Sequence, residues 1–515
     1  MKRAWALCVT LAALWAGACS SGGTTVTTPP PNNGFSNNSL MGQYAFSMSG
    51  TDASSGVAVP FARVGSFTAN GEGGIETGVE DVNLNLGQQG SNELGFTGGG
   101  YSINTDGRGT LSLIDSTGTL TFSITMTSAN GGYLTNMPTD LMSAGSGSFV
   151  KQNPASFLLS AFSGSYAFDF SGADAQGNPE SAVGQLVSTG NQVLSGFADD
   201  NDGGLVNGGT PGAATISGNY GPPTIASDLT NFGRGQITIG TLSGVFYIVG
   251  PNEVEFMETT SGGTLAGDAL LQSNIPTTAA GIGGGFVYVM GGAGVTGVSG
   301  PLTRGGKFSA SSGALSSIIV DNNNSGQSIS LNTTSGTYTV DPSGDGRGTV
   351  TFSVSGFKDP FTYVFYLISP TQAVIQDQST GIVEDGSMLA QGSGTISNTS
   401  LAGNYAINWS GVTGTGNGTG EEDLVGETSL TSGMFSGHID VNEFATQSQA
   451  TDVALSGTLQ LAADPTSHNA VTLNLATNPA GQVTAFAYIA NNNTILLMGT
   501  QKNRVVAGIL TPQAP

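Results

Sequence analysis

The chain is predicted to be all-β, built from four tandem units of about 120 residues, each an eight-stranded antiparallel up-and-down β-barrel or sandwich. Three observations predict this. A nine-residue stretch, Gly42 to Gly50 (GQYAFSMSG), returns as Gly164 to Gly172 (GSYAFDFSG), Gly284 to Gly292 (GGFVYVMGG) and Gly403 to Gly411 (GNYAINWSG). Each copy sets large apolar residues at alternate positions: Tyr44/Phe46/Met48, Tyr166/Phe168/Phe170, Phe286/Tyr288/Met290 and Tyr405/Ile407/Trp409. Period-two alternation places those side chains on one face of a strand. The opening aromatics stand at 44, 166, 286 and 405, so the repeat steps by 122, 120 and 119 residues. Finally, the text between copies reads as short alternating runs and turn residues, with no helical period after the leader.

Taken in order, residues 1–19 read as a targeting segment: Lys2 and Arg3 precede the apolar run 4–16, which is too short for a stable membrane span. Ala16-Gly17-Ala18-Cys19 resembles the lipobox of bacterial lipoproteins, with Ala16 where that family usually has leucine. The resemblance implies that Cys19 is lipidated and becomes the new N-terminus; an ordinary signal-peptidase cut near Ala18 is the alternative. Residues 20–38, rich in Ser, Thr, Asn and Pro and carrying Pro29-Pro30-Pro31, cannot bury a core and read as an extended tether. Ser20 replaces the aspartate that holds some lipoproteins of this type at the inner membrane, which implies the outer membrane or cell surface, or secretion if no lipid is added.

The units are expected at 39–153, 160–274, 279–394 and 398–513. In the first, alternation predicts strands at 44–49, 63–69, 75–81, 101–105, 110–114, 120–125, 133–137 and 147–150. The sixth and seventh strands of later units flank plain turn signals: Gly250-Pro251-Asn252, Ser369-Pro370 and Asn491-Asn492-Asn493. Three landmarks keep the step of the repeat. Asp-x-Asn follows the third strand's alternating run, at Asp81/Asn83, Asp199/Asn201, Asp321/Asn323 and Asp440/Asn442. Gly-Arg-Gly surrounds Arg108, Arg234 and Arg347, while Ser467-His468-Asn469 stands near its place in the fourth unit. A glycine five residues before a glutamine closes each unit, at Gly147/Gln152, Gly267/Gln272, Gly386/Gln391 and Gly508/Gln513.

Recurrent first and last strands favour a barrel closed by pairing them, which removes edges that a charge-poor chain would expose to aggregation. The Gly-x-aromatic opening also resembles the first strand of the calycin barrels, the lipocalin and avidin group. That resemblance covers one strand per unit and carries no binding residues across. Small barrels are commonly filled by side chains, and three bulky residues on every first strand point to filled interiors.

Composition narrows function. Charged residues are 9% of the chain, against roughly a quarter in ordinary proteins. Without Lys2 and Arg3, 10 basic residues face 35 acidic ones, a net charge of −25. That excludes nucleic acid, whose phosphates need Lys and Arg, and leaves a lipid as the expected membrane anchor. Cys8 lies in the leader and Cys19 is the only other cysteine, so no disulfide is expected after processing.

Candidate chemistry is sparse. No Gly-x-Ser-x-Gly, His-Glu-x-x-His or phosphate loop is present. His438, beside Asp440, is the one candidate base, more simply read as a solvated residue on a sheet face. Asp199, Asp200, Asn201 and Asp202 form the densest oxygen cluster and are the candidate calcium ligands, although the run lacks the distal glutamate of an EF-hand loop. The simpler reading of Asp-x-Asn is a turn cap, and of the arginines, pairing with a local carboxylate. No other cofactor is expected. The function read from this is a non-enzymatic surface or secreted repeat lipoprotein with an adhesive or envelope-structural role, its protein, glycan or small-molecule partner unidentified. The alternative is a lipocalin-like lipoprotein with a ligand cavity lined by Phe168, Phe170, Tyr288 or Trp409.

Overall fold

In the computed structural model each nine-residue stretch lies within the first strand of a closed, eight-stranded antiparallel barrel, and there are four such barrels. The structure describes residues 34–85, 92–210, 212–297, 299–331, 333–356, 358–414, 420–444, 446–463, 467–475 and 481–515. The leader, Cys19 and nearly all of the tether therefore lie outside the described residues.

Each barrel closes as the repeat of its end strands implies. Met41–Asp52 pairs with Ser143–Lys151, Ser163–Ala173 with Ala266–Leu271, Gly283–Gly294 with Ile382–Ala390, and Gly403–Thr413 with Arg504–Pro512. This pairing decides for the barrel over the sandwich. The register explains the closing landmark: Met48, Phe170, Met290 and Trp409 sit opposite Gly147, Gly267, Gly386 and Gly508. A methyl at Gly147 would stand 1.9 Å from the Ser47 carbonyl oxygen, so the first strand can lie this close only over glycine.

The eight strands expected in the first unit are all present. Three barrels also lay a short extra strand on the third one, at Asn92–Gly95, Leu205–Val206 and Gln327–Leu331. The alternation did not reveal these pieces, nor the short α-helix Ser227–Phe232, the only one among the described residues, which ends on left-handed Gly233. Two to three turns of alternation are needed to see a helix by its period, and six residues do not supply them.

The interiors are filled. Tyr44, Phe46, Met48 and their counterparts are buried in four separate cores. Phe168 stacks on Phe170 at 4.6 Å, and Phe170 on Phe256 at 4.2 Å; Tyr288 packs among Phe308, Phe352 and Tyr363. Phe168, Phe170 and Tyr288, expected to line a ligand cavity in the alternative reading, thus pack against other rings, and Trp409 is buried among the Leu, Ile and Val side chains of barrel 4. Some interiors also carry a cation with its acids: Arg63 on Glu80 at 2.8 Å in barrel 1, and Arg304 on Asp377 and Glu384 in barrel 3.

The outward faces of the first strands are buried too. Ala45, Ala167, Val287 and Ala406, each next to the opening aromatic, belong to apolar patches shared between barrels. Ala45, Val64 and Val79 of barrel 1 meet Val245, Tyr247 and Met257 of barrel 2; Ala167 and Val183 of barrel 2 meet Val364, Tyr366 and Val374 of barrel 3. Patches of Val, Ala and Tyr this well buried supply the apolar part of barrel-to-barrel association.

Candidate functional site

The polar landmarks all converge on the barrel–barrel junctions. Along the third strand of each barrel, alternation turns Asp and Asn outward while their neighbours point into the core. Asn83 of barrel 1 donates its amide to the carbonyls of Glu258 and Gly263 in barrel 2, at 2.8 and 2.6 Å. Asn201 makes the same pair of bonds to Asp377 and Ile382 in barrel 3, and Asn323 to Gly499 and Arg504 in barrel 4. Asn442 of barrel 4 then donates to Asn136 and Ser143 of barrel 1, at 2.8 and 2.9 Å. The four contacts run 1 to 2, 2 to 3, 3 to 4 and 4 to 1, so the barrels form a closed ring.

The glutamines that end the units repeat the cycle. Gln152, Gln272, Gln391 and Gln513 donate to the carbonyls of Ile248, Leu367, Ile489 and Met126, each in the next barrel round. Three of them also reach the carbonyl just before the glycine of Gly-Arg-Gly, at Phe232, Asp345 and Asp106. That glycine is required twice over. Gly346 has φ +82°, and a methyl there would stand 2.6 Å from the Gln272 amide nitrogen.

The arginine beside it pairs with the aspartate of the preceding barrel, not with a local carboxylate as expected. Arg234 holds Asp81 in a two-pronged bond of 2.7 and 2.8 Å, and Tyr247 donates to the same carboxylate at 2.7 Å. Arg347 and Tyr366 hold Asp199 in the same way, at 2.8, 2.9 and 2.9 Å. Burial works against the charge on Arg234, but the bonds and charge of Asp81 outweigh it and raise its pKa. Burial, reinforced by Asp81, pushes Tyr247 well up as well, so the phenol remains a donor. At the third junction His468 takes the place of arginine, its Nε2 2.9 Å from Asp321 Oδ1, with Tyr488 donating to Asp321 at 2.6 Å.

The fourth junction is different. Thr125 stands at the register position that tyrosine holds elsewhere, opposite Arg108. Arg108 bonds its near neighbour Asp106 at 3.0 Å, as the local-pair reading expected, and the exposed Asp452 at 2.8 Å; Asp440 is 4.0 Å away. Tyr133, from another strand, bridges to Thr511 at 2.6 Å.

Asp-x-Asn is therefore a junction element and not a turn cap. Of the four candidate calcium ligands, Asp199 and Asn201 are sealed against barrel 3. Asp200 and Asp202 point the other way, beside Glu180 at one end of barrel 2; burial and these two aspartates push Glu180 up to about 9. The four side chains do not converge. Among the described residues no group of three or more His, Cys, Asp and Glu side chains is placed to hold a metal ion.

With that geometry in view, comparison with known proteins adds little. No protein-family model matches the chain, and no curated protein matches its sequence. Among solved structures, the transferrin binding protein B of Haemophilus parasuis, as a double mutant, is 11% identical over 74% of this chain and 82% of its own, with a TM-score of 0.17. The isotype 1 transferrin binding protein B of serogroup B Neisseria meningitidis is 10% identical over 75% and 84%, with a TM-score of 0.21. At such TM-scores these likenesses decide nothing about this chain.

Two clefts lie at junctions. One, of about 270 Å³, sits between barrels 1 and 4 and is lined by Asp106, Glu427, His438 and Gln513 among others. His438 Nδ1 is 3.8 Å from Glu427 Oε1, its cross-strand neighbour, and burial pushes Glu427 up to about 7. The Ser429 hydroxyl in this cleft donates to the Ser436 carbonyl, not to the histidine. The other, of about 560 Å³, opens over Asp81, Glu93 and Arg234, where Arg234 pairs with both acids.

Proposed function

We propose that the chain is a non-enzymatic, exported repeat lipoprotein that presents a closed ring of four β-barrels on an N-terminal tether, in an adhesive or envelope-structural role. One observation carries the reading: the polar residues recurring in every unit, Asp-x-Asn, the Gly-Arg-Gly arginines and the closing glutamine, are spent on joining barrels. A chain whose repeated polar positions build a rigid scaffold fits a display or structural task better than turnover of a substrate. The anchor follows from the leader and from Cys19, ahead of a Ser/Thr/Pro/Asn spacer at 20–38. The partner is a protein, glycan or small molecule met at the ring's outer surface, since the barrel interiors are packed with apolar side chains. No nucleic acid is expected for so acidic a chain.

The address is tested by fractionating producing cells. The chain is expected in the membrane fraction, labelled by a fed fatty acid, and released to the soluble fraction by C19A. Membrane retention of C19A would contradict lipid anchoring. The role is tested by glycan and extracellular-protein arrays probed with the purified ring, together with envelope integrity in a deletion strain. Binding supports adhesion and a leaky envelope supports structure; turnover of an array component would overturn the non-enzymatic reading.

A further inference from the structure

The opening strand of barrel 2 differs from its three counterparts on its outward face. Asp169, between Phe168 and Phe170, is paired across the sheet with Asp268, and Asp268 with Glu255 on the next strand. Three carboxylates thus lie side by side on adjacent strands, where neighbouring Cβ atoms are only about 5 Å apart. All three are buried, at 6%, 2% and 2% exposure. In the other barrels the same row reads Ser47, Ser148 and Tyr133; Val289, Ser387 and Val374; and Asn408, Ile509 and Leu496. The fold is thus built three times without a carboxylate there, and the acids of barrel 2 are not needed to make a barrel.

Their surroundings supply no counter-charge. Barrel 3 contributes Asp385, buried to 5% exposure, which is hydrogen-bonded to Asp169 and to the Ser171 hydroxyl. Behind Asp385 stands Glu384, whose partner is Arg304. Barrel 2 itself adds Glu253 beside Glu255 and Asp268, and the Ser47 hydroxyl of barrel 1 bonds Glu255. Among the described residues no Lys, Arg or His pairs with Asp169, Glu255, Asp268 or Asp385. One oxygen of each of the three in the row lacks a hydrogen-bond partner. Two carboxylates this close share a bond only if one carries a proton.

We propose that this row is a proton-dependent latch between barrels 2 and 3, closed while its acids are neutral and forced open by mutual repulsion when they ionise. The sign follows from linkage. Burial pushes Asp385 up to about 7 and holds Asp169, Asp268 and Glu255 well above the ordinary carboxylate range. A group raised in the folded state gives stability that is complete below its unfolded value and is lost as pH rises through its folded value. The ring is therefore tightest in acid and loosens from about pH 4 upward through neutrality.

The test compares the chain with its Asp169→Asn, Glu255→Gln, Asp268→Asn triple variant, which keeps shape and removes ionisation. Thermal midpoint and radius of gyration are followed from about pH 4.5 to 8.5. The wild-type midpoint is expected to fall by about 10 °C more than that of the variant, with an increase in radius that the variant does not show. Parallel curves for the two proteins would overturn the latch. Should the triple variant not fold, D385N decides in the same way: a flatter pH response than wild type supports the latch, and an unchanged response overturns it. Recovery of the wild-type midpoint at high pH by millimolar Ca²⁺ or Mg²⁺ would make the cluster a cation site and likewise overturn the proposal.

Discussion

The junction between barrels 2 and 3 and the junction between barrels 4 and 1 share two clamps and differ in a third. Both place an asparagine on two carbonyls of the next barrel and a glutamine on two more. At the first, Asp199 is held by two bonds from Arg347 and one from Tyr366. At the second, Asp440 stands 4.0 Å from Arg108, with no tyrosine on it. Consecutive barrels are also held together by short connecting chain, which keeps the local concentration of one junction face near the other high. The closing junction has no such tether, yet its Asp-x-Asn aspartate stands farthest from its partner, 4.0 Å against 2.7 to 2.9 Å at the other three. The ring is therefore shut by amide clamps and apolar packing, and the buried ion pairs stiffen junctions that the chain already connects.

The largest expected effect separates the two directly. Asp199→Ala strands the half-buried cation of Arg347 and the buried Tyr366 hydroxyl and should cost roughly 3 kcal/mol in urea unfolding. Asp440→Ala should cost less than about 1 kcal/mol, since its pair is already long. Equal losses would break the distinction. The shared clamp is expected to behave alike at both sites: Asn201→Ala and Asn442→Ala each leave two carbonyls without a donor and should each cost about 2 kcal/mol. A silent Asn442→Ala would mean that the ring does not close in solution. Next come the glycines under the glutamines. Gly346→Ala and Gly107→Ala put a methyl 2.6 and 2.7 Å from Gln272 and Gln513 at φ +82° and +89°, for a loss of about 1–3 kcal/mol each, read as a lower unfolding midpoint. Smallest is Asp452→Ala, which removes an exposed partner of Arg108 at the closing junction and should leave the urea midpoint indistinguishable from that of the wild type.

How much of this was legible beforehand depends on which side of a strand carried the signal. The interior side writes itself in large apolar residues at every second position, and Tyr44, Phe46 and Met48 announced the first strand, its face and its repetition. The outer side writes no such pattern. Ala45, Ser47 and Ser49 look like solvent-facing positions, yet all three are buried because another barrel covers them. The Asp-x-Asn and glutamine landmarks were visible as recurrences, but their partners lie between 73 and 407 residues away in the chain, a separation that local pattern does not address. One clue stood in the text. In a chain with so few cations, three arginines at one repeat position, and a histidine near the fourth, imply a partner that recurs as well. Asp81, Asp199 and Asp321 recur at the same step, and Arg234, Arg347 and His468 are what they meet. The acids of barrel 2 were harder to see, since Asp169 alternates with two phenylalanines like any outward polar residue.

Small-angle X-ray scattering in mildly acidic buffer tests most directly whether the repeated polar positions close the four barrels into a ring. A closed ring of this chain predicts a radius of gyration within a few ångströms of the ~23 Å expected for a compact body of its length, and a single-peaked distance distribution. A radius well above ~30 Å with a long tail, the profile of four barrels strung in a row, would contradict it.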